Sequence, residues 1–190
     1  MRVTYAAGST TPAELGTSYQ IRTTTRDTPG FFIWQSKNTT LSNVDVGYLH
    51  GFGLVSQFSD GLTLSGVNFR APADSWRTTV AFADLVQVSG NKGKVTIENC
   101  NFGYVHDDPI NIHGTYWVMA AKNGNTATFS YKHSETAGFP QFYPGDEVAL
   151  VDRSTMLDTG WQCKVVLVDG PDGRSHNRSL THITVTFDRD

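Results

Sequence analysis

One phrase, written three times, restricts the fold of this chain more than any other feature of it. TTLSNVDV at residues 39–46 returns as LTLSGVNF at 62–69 and as VTIENCNF at 95–102. Most positions repeat in kind: an aliphatic residue, then serine or glutamate, asparagine or glycine, a small apolar residue, asparagine or aspartate, and an apolar residue. The copies start 23 and 33 residues apart, and the longer gap holds an extra polar loop, RAPADSWRTT, at 70–79. Apolar side chains at alternate positions mark strands with one buried face. The asparagine or glycine between them marks a tight bend on a permissive backbone. A period near 23 with no helical pattern inside it is the signature of a parallel β-helix. A leucine-rich repeat of that length would need a leucine-dense frame, which is missing. The expected fold is therefore all-β, a right-handed parallel β-helix whose hand follows the crossover rule. Val44, Val67 and Cys100 should form one inward ladder, and Leu41, Leu64 and Ile97 another.

After Thr115 the period is lost. Residues 117–131 read as a hairpin around Asn123-Gly-Asn, and 146–152, 162–168 and 182–187 as further strands. This half is expected to be a small antiparallel β-barrel or sheet inserted after the last visible coil. The domain division is thus 1–115 for the coils and 116–190 for the insertion. Residues 1–30 give one strand-like run, 19–24. The chain stops after a strand without a closing coil, as a piece of a longer solenoid would.

A length of 190 residues suits one domain with an appendage, and 18 glycines with 17% charged residues suit a β-rich protein. The net charge of −3 and the lack of a basic run give no reason to expect nucleic acid or an anionic membrane as partner. No apolar stretch is long enough to span a membrane, and the first residues lack the apolar run of a signal peptide. Two cysteines, Cys100 and Cys163, are too few for a disulfide framework. The sequons at Asn38 and Asn177 are short enough to arise by chance.

A second repetition carries the chemistry. DLVQVSG at 84–90 returns as DPINIHG at 108–114, offset by 24 residues, and Asp107 directly precedes the second copy. One coil of a β-helix rises by roughly 4.8 Å, so Asp84 should lie beside Asp108. Two ionised carboxylates at that distance repel, and one should hold its proton more tightly. Pro109 restricts Asp108 to extended backbone. Strand alternation puts Asn111 and His113 on the outer face with Asp107, opposite Ile110 and Ile112, and puts Gln87 and Ser89 on that outer face one coil earlier. Trp76 and Tyr116 are candidates to stack on a sugar ring. Taken singly, either aspartate of the repeat reads more simply as a turn residue. Three acids converging with His113 reverse that balance and suit glycoside hydrolysis, which needs one carboxylic acid and one carboxylate. His113 alone is not a metal ligand by its spacing, because no second His or Cys stands at ligand distance in sequence, and no cofactor is expected.

HDDPINIHGTY, preceded by ADLVQVSGNKGKVTIENCNF, resembles the α-1,3-galactosidases of glycoside hydrolase family 110. HGFGLVSQFSDGLTLSGVNF at 50–69 and YKHSETAGFPQFYPGDEVAL at 131–150 carry the same resemblance, which covers about residues 31–151. It implies a metal-independent, inverting exo-hydrolase acting on an oligosaccharide or glycoconjugate with terminal α-1,3-linked galactose, such as the blood-group B determinant. It maps the active-site aspartates onto Asp84, Asp107 and Asp108, with Asp107 as general acid and the other two handling the water. Gln57, Arg77, Asn111 and His113 are the candidate sugar contacts. The family has an apolar residue where His106 stands, and its members continue with coils beyond the barrel. A secreted or periplasmic location is expected of the full-length protein, and a homo-oligomer is compatible with the sequence.

Three other readings stay open. A non-catalytic glycan-binding β-helix would keep affinity without Asp107, whereas a hydrolase would lose its rate. A pectin-type hydrolase or lyase should carry lysine or arginine on the catalytic face, and residues 82–116 offer only Lys92 and Lys94. A structural, adhesin-like solenoid would not need clustered acids.

Overall fold

The three copies of the repeated phrase lie side by side as parallel strands. A computed structural model describes residues 4–10, 14–20, 26, 28–133, 137–171 and 181–190. Among them the chain forms thirteen strands, one 3-10 turn at Ala73–Ser75 and no α-helix. The strand-like run at 19–24 is unstructured at Tyr19 and Gln20, and its remainder lies outside the described residues, as does the sequon at Asn177. The chain divides into two units, Met1–Ile112 and His113–Asp190.

In the first unit the strands alternate between two parallel sheets. One contains β1 (Pro29–Trp34), β3 (Phe52–Gln57), β5 (Val86–Ser89) and β8 (Asn111–His113), in that order. The other contains β2 (Lys37–Val46), β4 (Asp60–Phe69) and β6 (Lys92–Glu98), with β7 (Asn101–Phe102) also pairing β4. The register is the one the repeats dictate: Leu41 pairs Leu64 and Leu64 pairs Ile97, while Val44 pairs Val67. Leu64 and Val67 are fully buried, and Leu41, Val44, Ile97 and Cys100 pack against the same core. Phe69 sits at its centre, stacked between Phe31 at 5.8 Å and Phe102 at 5.7 Å.

The bends repeat as well. Asn43, Gly66 and Asn99, the permissive position of each copy, have φ of 53°, 66° and 53°. This is the left-handed region that asparagine and glycine tolerate best. Side chains join successive turns: Ser59 Oγ accepts from Ser36 N–H, and Asn91 Oδ1 accepts from Ser59 N–H. The Asn91 amide also donates to Ser56 Oγ at 2.8 Å.

Gly53 marks the closest approach of two turns in the first sheet. A Cβ there would lie 2.2 Å from the Leu85 carbonyl oxygen, which is backbone and cannot swing away. Gly53→Ala is expected to destabilise the protein by about 2 kcal/mol, as overpacking does. Denaturant titration checks this, with a lower midpoint at unchanged slope expected and an unchanged midpoint counting against it.

Of the faces assigned by strand alternation, the one at Ser89 needs correction, and the end strand β8 leaves apolar side chains open. Ile110 and Ile112 are 43% and 53% exposed, whereas Asn111 is half-buried. β8 is the end strand of its sheet, so among the described residues no further strand covers its isoleucines, and the Asn111 amide donates to the buried Asp84 carboxylate. Ser89, assigned to the outer face, is buried. It lies just before the bend at Gly90, where an added Cβ would lie 2.6 Å from the Phe58 ring.

The second unit is an antiparallel five-stranded curled sheet. It comprises β9 (Val118–Asn123), β10 (Thr126–Ser130), β11 (Glu147–Val151), β12 (Asp158–Asp169) and β13 (His182–Phe187), ordered β11-β12-β13-β10-β9. The hairpin turns at Gly124, as its asparagine-glycine signal requires. Cys163, Val165, Ile183, Val185 and Phe187 form its core. Cys163 and Cys100 are both free thiols.

Candidate active site

The backbone brings the two copies of the aspartate phrase together. Parallel pairing of β3 with β5 is continued by hydrogen bonds from Gly53 N to Asp84 O at 2.9 Å and from Leu54 N to Leu85 O at 2.7 Å. Leu85 N donates in the same way to Asp108 O at 2.9 Å. Asp84 and Asp108 therefore occupy matching positions on adjacent turns, as the 24-residue offset implies.

Their side chains have different surroundings. Asp84 is 2% exposed, and its Oδ2 accepts a 2.9 Å hydrogen bond from the Asn111 amide. Burial pushes its carboxyl above the usual range, because water no longer stabilises the charge. The Asn111 hydrogen bond opposes that rise, the negative charge of Asp107 adds to it, and the positive charge of Arg26 works against it. Asp107 is half-buried and forms an ion pair with Arg26. Asp108 is exposed, its carbonyl tied to Leu85.

Of the candidate sugar contacts, the structure brings Asn111 to the aspartates. Gln57 pairs Ser89 at the far end of β5, five residues along the chain from Asp84, roughly 16 Å in extended backbone. Arg77 stacks on Tyr48, its guanidinium carbon 4.4 Å from the ring centroid. His113 falls in the second unit, with Nδ1 2.9 Å from the Gly114 carbonyl oxygen. Trp76 is 95% exposed on the polar loop. Tyr116 belongs to the second unit, where it lines a cavity of about 620 Å³ with Trp117, Phe129 and Trp161. Among the described residues no group of three or more His, Cys, Asp or Glu is arranged to hold a metal ion.

Sequence reasoning missed Arg26. It lies 81 residues from Asp107 and belongs to no motif. Its guanidinium also sits over the Phe52 ring, 5.9 Å from the centroid. Pro29 pairs Phe52 in the parallel register, and that pairing carries the Arg26 segment to the edge where the aspartates lie. Also unforeseen is a run of rings beside them: Phe82 contacts His50 at 6.4 Å and His106 at 6.1 Å between centroids.

The chain that carries this buried carboxyl and two further acids on a parallel β frame has homologues named as galactosidases. It is 48% identical over 191 residues to the protein named Alpha-1,3-galactosidase A of Streptomyces avermitilis, a match covering 100% of this chain and 30% of that protein. It is 49% identical to Alpha-1,3-galactosidase A of Peterkaempfera griseoplana, over 100% of this chain and 27% of the relative. It is 35% identical to Alpha-1,3-galactosidase B of Phocaeicola vulgatus, over 90% of this chain and 29% of the relative. The chain thus spans less than a third of the length of these curated relatives. No family model matches it.

Proposed function

We propose that this chain is the catalytic segment of an inverting exo-α-1,3-galactosidase of glycoside hydrolase family 110. Its parallel sheets are the faces of a right-handed β-helix, over 1–115, and its antiparallel unit, over 116–190, is the insertion that family carries. The alternation of strands between two sheets, with three rows of bends in register, supports the β-helix. The substrate is a glycan ending in α-1,3-linked galactose, of which the blood-group B determinant is one, and no metal takes part.

The observation that carries the reading is the unequal environment of the acids: Asp84 buried and reluctant to ionise, beside Asp107 and Asp108. Carboxyls with divergent proton affinities at one place are what acid–base catalysis needs. Asp107 gives a proton to the leaving oxygen as the bond from that oxygen to the anomeric carbon breaks. Water attacks that carbon from the opposite face, and Asp84, positioned with Asp108, takes the proton the water loses. One water is consumed, the configuration inverts, and galactose leaves as the β anomer. A raised proton affinity suits Asp84 for accepting that proton, provided it is ionised at the working pH.

The test is release of galactose from p-nitrophenyl α-galactoside and from a terminal α-1,3-galactosyl oligosaccharide, with the first-formed anomer read by proton NMR. β-Galactose is expected. Initial release of α-galactose would overturn the inverting mechanism. A folded protein that binds the oligosaccharide without releasing galactose would instead favour the glycan-binding reading, or a segment that turns over only with the rest of the length its relatives have.

A further inference from the structure

We propose that Arg26 is a positioning residue of the aspartate cluster: its guanidinium, seated over Phe52, orients the Asp107 carboxyl group and sets a positive charge among the acids that surround Asp84. The inference rests on the hydrolase reading for its kinetic consequence, whereas its positioning content rests on the contacts Arg26 makes with Asp107 and Phe52.

Three observations converge on Arg26. It forms an ion pair with Asp107. It faces the ring of Phe52, and a cation over an aromatic face is attracted by the ring quadrupole. Phe52 begins β3, the strand between β1 and β5. The anchor ring, Asp84 and Asp107 therefore belong to three successive rows of one sheet. A planar guanidinium with several fixed donors can hold a carboxylate while its face rests on a ring, a combination lysine cannot reproduce.

The charged and titratable groups around Asp84 are Asp107, Asp108 and Arg26, with His106 and His50 against the intervening Phe82 ring. Asp107 makes ionisation of buried Asp84 harder, and Arg26 makes it easier. Without Arg26, the positive charge that favours ionised Asp84 is gone whether or not Asp107 holds its proton, so Asp84 would keep its own proton to higher pH. If Asp84 must be ionised to receive the proton of the attacking water, the acidic limb of the rate profile moves up with it.

The experiment compares wild type with Arg26→Met and Arg26→Lys. The Asp84 carboxyl is titrated by carbon NMR in aspartate-labelled protein, and kcat/KM for galactose release is followed against pH. In Arg26→Met the Asp84 midpoint and the acidic limb should both rise, by about one pH unit. In Arg26→Lys, which keeps the charge but not the planar fork, both should return towards wild type while kcat stays reduced. An unmoved midpoint in both folded variants would overturn the proposal, whatever happens to the rate. The lysine variant keeps the test informative if the methionine variant does not fold. A midpoint that moves in a protein releasing no galactose would uphold the role of Arg26 and sink the hydrolase reading. Galactose release with an unmoved midpoint would do the reverse.

Discussion

Asp84→Asn is expected to lower kcat/KM about a thousandfold and, at pH 7, to raise the melting temperature. The loss follows from the role proposed for Asp84, that of accepting the water proton. The gain follows from burial: Asp84 is 2% exposed and holds its proton more tightly than an aspartate in water. The sign can be worked through linkage. An unfolded aspartate titrates near about pH 3.9, whereas the folded carboxyl still binds its proton above that. The folded state thus binds more protons in the window between the two values, and stability falls as pH rises through it. The asparagine variant avoids this loss and still offers Asn111 an oxygen to donate to. Its advantage should shrink as the pH falls to about 4. Melting curves at pH 4 and pH 7 decide the matter, and a variant less stable than wild type at both would count against a costly buried charge.

Asp107→Asn is the comparison that separates the roles. The Arg26 contact it weakens is a partly exposed ion pair, so stability should change by less than about 1 kcal/mol. Its rate loss should be about a thousandfold on an oligosaccharide, whose leaving oxygen needs a proton, and much smaller on p-nitrophenyl α-galactoside, whose leaving group does not. Asp84→Asn should impair both substrates alike, because both need an activated water. Equal losses for Asp107→Asn on the two substrates would remove Asp107 from the acid role.

Phe69→Ala carries the largest expected effect on stability, a loss of about 3–5 kcal/mol. The ring is fully buried and stacked on both sides, by Phe31 and Phe102. Its removal leaves a cavity between two neighbouring rows that are held apart by their own hydrogen bonds and cannot collapse into it. It also removes two ring contacts worth about 0.5–1.5 kcal/mol each. Against a typical total of about 5–15 kcal/mol, this is enough to unfold much of the protein on warming. Denaturant titration measures it, and a loss below about 1 kcal/mol would mean that the core repacks freely around the gap.

Much of this architecture was readable from the chain. Strand side chains alternate with a period of two, so a phrase that recurs with its apolar positions intact can pair in only one register without exposing its core. That logic paired Leu41 with Leu64 and Ile97, placed left-handed bends at Asn43, Gly66 and Asn99, and set Asp84 beside Asp108. The hairpin at Gly124 followed from turn chemistry in the same way. Tertiary structure alone decided what has no period. Asn111 is half-buried because its amide is tied to the buried Asp84 oxygen, and the isoleucines beside it lie open because β8 is the end strand of its sheet among the described residues. Gln57 and Arg77, close to the site in motif terms, went to a strand end and to Tyr48. Arg26 reached Asp107 from 81 residues away, out of a segment with no repeat. A local pattern determines which rows stack, because stacking is a property of every turn. A single charge meeting another across the fold depends on where the rows end, and no local pattern records that.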